Sequence, residues 1–204
     1  MLAEIAAFSI AALVITLTPG ADMALVARRA VVDGWPVAAR TSLGVVSGLV
    51  VHAAAAAIGV SAILAHSARA FTVLKLVGAA YLAFLGVMAF RNARRAGDPE
   101  QRGVHLGHPF LQGFLNNVLN PKVAVFYVAF LPQFIRPGDP VALLAGIMVT
   151  IHIAMGIVWL FVWAWLVARA RGYFLRPRWR AAMERVTGTV FIGFGVRLAT
   201  LSHR

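Results

Sequence analysis

The sequence predicts an all-α membrane protein whose six transmembrane helices form two inverted three-helix repeats. Three observations carry that expectation. Hydrophobic residues fill 61% of the 204 positions and charged residues only 13%, whereas a soluble domain carries about 25% charged residues to face water. The apolar residues gather into six segments, each close to the length, about 20 residues, that crosses a hydrocarbon core. The arginines between those segments are abundant in alternate loops, the pattern of a chain with a fixed orientation in a membrane. A single transmembrane domain over 1–204, with half-repeats of about 1–95 and 108–204, is expected.

The first segment, 3–26, begins after Met1-Leu2 and has Glu4 but no early Lys or Arg. It lacks the basic start of a cleaved signal peptide and is expected to be retained. It contains Thr18-Pro19-Gly20-Ala21-Asp22. Turn chemistry at Asp33-Gly34-Trp35-Pro36 separates it from the second segment, 37–64. There Gly44, Gly48 and His52 recur at steps of four, a stripe on which another helix can approach closely. The third segment, 70–90, carries Lys75, Gly78, Tyr81 and Phe84 at steps of three. A polar stretch from Arg91 to Pro109, holding Gly97-Asp98-Pro99, leads to the fourth, 111–134, which contains Pro121. Arg136-Pro137-Gly138-Asp139-Pro140 is a tight connector to the fifth, 141–168. Its Trp159, Trp163 and Trp165 are expected at lipid or interface positions. A basic loop from Arg169 to Arg180, with Pro177, precedes the sixth, 183–201, the least apolar because of Arg197.

The net charge is +12 and the isoelectric point about 11.7. The placement of the charge decides its meaning. Arg28, Arg29 and Arg40, then Arg91, Arg94, Arg95 and Arg102, then Arg169, Arg171, Arg176, Arg178 and Arg180 fall in the first, third and fifth loops. Arg69, Arg136 and Arg204 are on the other side. The basic loops are therefore expected in the cytoplasm against anionic lipid, with both termini periplasmic. Nucleic acid is not the expected partner. The chain has no cysteine, which excludes disulfides, thiol catalysis and cysteine metal sites.

Internal repetition gives the halves a common plan. Thr18-Pro19-Gly20 matches Asn120-Pro121-Lys122, and His52 follows the first proline at nearly the interval at which His152 follows the second. The steps of three in the third segment recur in the sixth as Arg185, Gly188, Phe191 and Phe194. Three helices per half is an odd number, so the halves would lie inverted, with a site near the midplane between them. Pro19 and Pro121 interrupt their helices and leave backbone carbonyls needing partners. Beside them stand Asp22 and Lys122, each costly in hydrocarbon unless paired or facing a polar cavity. Together they could bind the two charges of a zwitterionic amino acid. Pro19, Gly20, Asp22, Asn116, Asn120, Pro121 and Lys122 are therefore the candidate substrate site, with Asn117 adding a further amide for substrate, backbone or helix contact. His52 and His152 could relay protons. A membrane enzyme or a bis-histidine haem protein using these two histidines is the alternative, and an assembly subunit without transport a third. No phosphate loop, metal signature or spaced nucleophile and base is present, so no catalytic or metal-binding residue and no cofactor are expected.

These motifs resemble those of the LysE/RhtB-type amino-acid exporters. The likeness rests on Thr18-Pro19-Gly20-Ala21-Asp22, on the stretch from Phe71 to Gly86, on Gly113 to Lys122 including Asn116-Asn117 and Asn120-Pro121, and on Phe130-Leu131-Pro132-Gln133-Phe134. Many members read Pro-Gly-Pro where this chain reads Pro19-Gly20-Ala21. The resemblance implies a small bacterial inner-membrane protein that exports small, neutral amino acids or derivatives such as homoserine, threonine or leucine, driven by protons. The expected partners are that amino acid, protons and lipid; a homo-oligomer is left open.

Overall fold

The computed structural model describes residues 2–66, 68–94, 107–135, 138–170 and 177–200, and every regular element among them is helical. Helix α1 (Leu2–Leu17) stops at Thr18-Pro19-Gly20, and α2 (Ala21–Val32) leaves at 47° to it. Helix α3 is Trp35–His66 and α4 is Ala68–Arg94. Helix α5 (Pro109–Val118) stops at Leu119-Asn120. Helix α6 (Pro121–Val125) follows and continues through a π-helical turn, Phe126–Phe130, and a 3-10 turn, Leu131–Phe134. This second bend is 48°. Helix α7 is Val141–Arg169 and α8 is Pro177–Thr200.

The two prolines break their segments completely. Pro19 has no N–H to offer α1 and pushes Thr18 out of the helical region. Gly20 is extended, and the next helical bond starts from its carbonyl, to Ala24 N–H at 2.9 Å. Pro121 instead opens α6 at a position where a missing N–H costs nothing. The first segment consequently reaches Val32 rather than residue 26, so Arg28 and Arg29, expected in a loop, are helical. The left-handed Gly34, φ 83°, then makes the turn into α3. The sixth helix also starts early, at Pro177, and takes Arg178 and Arg180 into its first turn. Of the other loop residues, Arg95, Arg102, Arg136, Arg171, Arg176, Arg204 and Gly97-Asp98-Pro99 lie outside the described residues.

By length and composition, Trp35–Ile58 of α3 and the whole of α7 can each cross a membrane. Each bent pair reaches the same standard when taken as one span, giving up to four among the described residues. The third and sixth expected segments also form helices, α4 and α8, and among the described residues α4 includes the apolar stretch Leu76–Arg91.

Packing crosses between the halves. Helix α5 lies on α3, α1 and α2 lie on α7, α3 lies on α7, and α4 lies on α8. The Gly44–Gly48–His52 stripe is the surface that α5 occupies. A Cβ on Gly44 would collide with the Phe110 carbonyl, one on Gly113 with the Thr41 carbonyl, and one on Gly48 would stand 2.6 Å from Asn117 Oδ1. On the α4–α8 pair, a Cβ on Gly86 would meet the Gly188 carbonyl and one on Gly195 the Ala79 carbonyl, each at 2.9 Å. Phe8, Phe126, Phe130, Leu131 and Met148 fill the centre. Trp163 departs from the expected interface position. It is buried and donates its indole N–H to the Met23 carbonyl at 3.0 Å, while Trp165 is exposed under the Arg169 guanidinium.

Candidate functional site

The two helix breaks meet. Asp22 stands in the first turn of α2, where unpaired backbone N–H groups favour an anion. Three side-chain amides from the other break close on it. Asn116 donates to Oδ1 at 2.7 Å; Asn117 and Asn120 donate to Oδ2 at 2.9 and 2.8 Å. The acceptor-only carboxylate fixes which way each amide faces. Placing an unpaired carboxylate at the centre of a membrane helix costs on the order of 3 kcal/mol. Hydrogen bonds to a charged group return about 1.5–3 kcal/mol each, so three of them outweigh that cost. Asn120 also acts on its own helix, since its Oδ1 accepts from the Lys122 backbone N–H at 3.1 Å and caps α6.

Lys122 reaches back across the gap. Its Nζ donates to the Thr18 carbonyl at 2.6 Å, at the C-terminal end of α1, where a cation suits the helix dipole. The side chain runs along Gly20, whose missing Cβ would lie 3.4 Å from Nζ, and the ammonium sits 5.8 Å from the centre of the Phe191 ring. The next break carbonyl, Pro19, accepts from the Thr187 hydroxyl at 2.8 Å. Both break carbonyls thus find partners from outside their own segment.

Between the breaks is a cavity of about 60 Å³. Asp22, Lys122, Asn117, Asn120, Thr16 and Thr18 supply its polar wall; Val45, Leu49, Phe126 and Leu160 supply the apolar one, with His152 at its edge. An anion and a cation, each held at a half-helix end, therefore share one small chamber. Of the residues expected at the site, Gly20, Asp22, Asn120 and Lys122 line it. Asn116 supports Asp22 from behind, and Pro19 and Pro121 make the breaks. Pro121 itself edges a separate, wholly apolar groove with Val77 and Tyr81.

The histidines divide. His152 touches the cavity, and its Nδ1 bonds the Tyr127 hydroxyl at 2.9 Å. His52 bonds the Asn117 carbonyl through Nε2 at 3.0 Å. The Tyr127 ring stacks on both imidazoles, at 6.3 Å from His52 and 5.6 Å from His152. All three residues are buried, and the adjoining space is far smaller than a porphyrin, so this pair does not fit a haem. Tyr127, Thr187 and Phe191 had no place in the site read from sequence. Phe191 was visible there only as one of the steps of three; nothing in the spacing distinguished Thr187. The π-helical turn that carries Tyr127 inward is invisible in an apolar run.

Comparison with known proteins agrees with the resemblance in the motifs. A family model described as LysE type translocator matches residues 13–202. A membrane protein of Vibrio cholerae is 32% identical over 95% of this chain and 95% of its own. A homoserine/homoserine lactone efflux protein of Salmonella typhi is 27% identical over 97% of this chain and 96% of its own. A threonine efflux protein of Escherichia coli K12 is 30% identical over 91% of this chain and 92% of its own. No solved structure matches the chain.

Proposed function

The chain belongs to the LysE type translocator family, and from that premise we propose that it is a proton-coupled exporter of small neutral amino acids in the bacterial inner membrane. The observation that carries this reading is the chamber between the breaks. A zwitterionic amino acid brings an ammonium and a carboxylate; Asp22 and Lys122 offer the opposite charges across about 60 Å³, with amides and an apolar wall between them. Relatives named for homoserine and threonine efflux support an amino acid of that size and charge.

The same reading takes the chain as a multi-pass protein of six spans in two inverted halves. Three features support it. The two breaks bend by 47° and 48°. Each bent segment packs on the second helix of the opposite half, α1 and α2 on α7 and α5 on α3. The third helices of the two halves, α4 and α8, pack on each other. Rocking of one half against the other would open the chamber to either side in turn. Asp22 or His152, both at the chamber, is the proposed proton carrier.

The test is efflux from vesicles reconstituted with the protein and loaded with a panel of labelled amino acids. Wild type is expected to release small neutral ones faster when the pH gradient is imposed. Asp22→Asn and Lys122→Met are each expected to reduce release at least about tenfold, the scale of losing one charged contact to the substrate. Unaltered efflux in both variants would remove the site assignment.

A further inference from the structure

Pro121 leaves a debt on the helix that precedes it. An N–H at that position would bond the carbonyl four residues earlier, on Asn117, and proline has none to give. The last carbonyls of α5 therefore need donors from elsewhere. Asn117 receives two. The Asn120 N–H reaches its carbonyl at 2.8 Å in a tightened last turn, and His52 Nε2 reaches it from α3 at 3.0 Å. A carbonyl oxygen has two lone pairs, so both are taken. The first break is served in the same crossed way, its Thr18 and Pro19 carbonyls by Lys122 and Thr187 from the other half of the chain.

The bond defines the chemistry of the imidazole. A backbone carbonyl only accepts hydrogen bonds, so His52 Nε2 carries the hydrogen. A relay takes a proton on one ring nitrogen and releases it from the other. The Nε2 side of His52 ends at an amide oxygen, which passes no proton on. His152 differs, because its Nδ1 partner is the Tyr127 hydroxyl, a group that both donates and accepts. The Tyr127 ring also stacks on His52, with 14° between the planes.

What His52 does reach is Asp22, through Asn117. The residue whose carbonyl it holds donates Nδ2 to Asp22 Oδ2 at 2.9 Å. Gly48, one turn before His52 on α3, makes room for the Asn117 side chain; a Cβ there would stand 2.8 Å from Asn117 Cβ. Helix α3 thus meets Asn117 at two points, the side chain at Gly48 and the carbonyl at His52.

We infer that His52 is a positioning residue for the substrate site: it anchors the carbonyl that Pro121 strands, holds the Asn117 amide on Asp22, and carries no transported proton. The inference rests on reading the chamber as the transport site.

Efflux from the reconstituted vesicles, measured against the concentration of each exported amino acid, tests this with two variants. His52→Leu removes the donor and is expected to raise KM about fivefold, the scale of one hydrogen bond, with a smaller change in maximal rate. His52→Gln keeps an N–H donor and has no titrating group. Its KM is expected to stay within about twofold of wild type, with the same response to the pH gradient and the same pH profile. A His52→Gln protein with wild-type KM but an altered response to the gradient would make His52 a proton carrier and overturn the inference. Wild-type KM in His52→Leu overturns it too, as does a KM in His52→Gln as poor as in His52→Leu. Thermal unfolding in detergent supplies a readout that needs no transport. His52→Leu and Asp22→Asn act on the two ends of one residue, so together they are expected to lower the melting temperature by less than the sum of their separate shifts. Additive shifts sink the anchoring. If wild type exports none of the amino acids offered while the shifts are non-additive, the transport reading falls and the anchoring of Asn117 by His52 stands.

Discussion

Asn120 combines two roles in one amide, and the two can be separated by substitution. Its Oδ1 caps α6 and its Nδ2 holds Asp22. Asn116 only holds Asp22. Asn120→Ala therefore loses a cap, about 1 kcal/mol, and a bond to a buried charge, about 1.5–3 kcal/mol. Asn116→Ala loses the second alone. Thermal unfolding in detergent is expected to show the larger drop for Asn120→Ala; an equal drop would mean that the cap contributes nothing. Sequence alone identified the residues whose chemistry is costly in lipid, because an acid, a lysine and a run of asparagines stand out from an apolar background. It did not identify which of them would pair. Asp22 and Lys122 read from sequence as holders of a substrate's two charges, and the structure adds what holds them, amides for Asp22 and the Thr18 carbonyl for Lys122. Thr187 stayed hidden for a different reason: a threonine in a membrane helix ordinarily bonds back to its own helix, as Thr187 does at the Met183 carbonyl, and only the tertiary structure shows its hydroxyl also within reach of the Pro19 carbonyl.

The breaks and the glycine contacts position these residues at the scale of elements. Prolines mark broken helices legibly, and both breaks fell where Pro19 and Pro121 stand. The helix ends were less legible, because Arg28 and Arg29 read as loop charges. Arg29 in fact reaches from α2 to Gln112 on α5, with Nε and Nη2 at 2.8 and 2.6 Å from Oε1, and also pairs with Asp33. The stripe of small residues on α3 was readable from its spacing, but its partner was not. That partner is α5, and the contact is backbone against backbone at Gly44 and Gly113. A side chain there has only main chain to displace, so Gly44→Val is expected to prevent the α3–α5 contact, at a cost beyond the roughly 1–3 kcal/mol of ordinary overpacking. Gly193→Ala on α8 is the control. Nothing lies within 4 Å of the added methyl, and Ala favours a helix over Gly by up to about 1 kcal/mol. Yield of monodisperse protein in detergent should collapse for the first and hold or rise for the second. Equal yields would show that the α3–α5 approach is not as close as the glycines imply.

Orientation belongs to the whole molecule and follows from an asymmetry that no single helix carries. Basic residues concentrate around the α2–α3, α4–α5 and α7–α8 connections, and few lie elsewhere. Up to four spans are found among the described residues by length and composition, which leaves α4 and α8 as the deciding pair. If both cross, all three basic clusters share one face and the two ends of the chain share the other. If α4 does not cross, the α4–α5 and α7–α8 clusters fall on the face opposite the α2–α3 cluster, against the cytoplasmic preference of basic loops. The absence of cysteine makes the choice measurable, since any single cysteine introduced is the only one to label. In intact cells, Leu2→Cys, Asp139→Cys and Ser202→Cys are expected to react with a membrane-impermeant maleimide added outside. Gln101→Cys is expected to react only after the membrane is opened. Asp139 and Gln101 report on α4, and Ser202 reports on α8. Protection of Asp139→Cys together with outside reaction at Gln101→Cys would reduce α4 to a surface helix and end the six-span arrangement, whereas the broken-helix chamber, to which α4 contributes no lining residue, would stand unchanged.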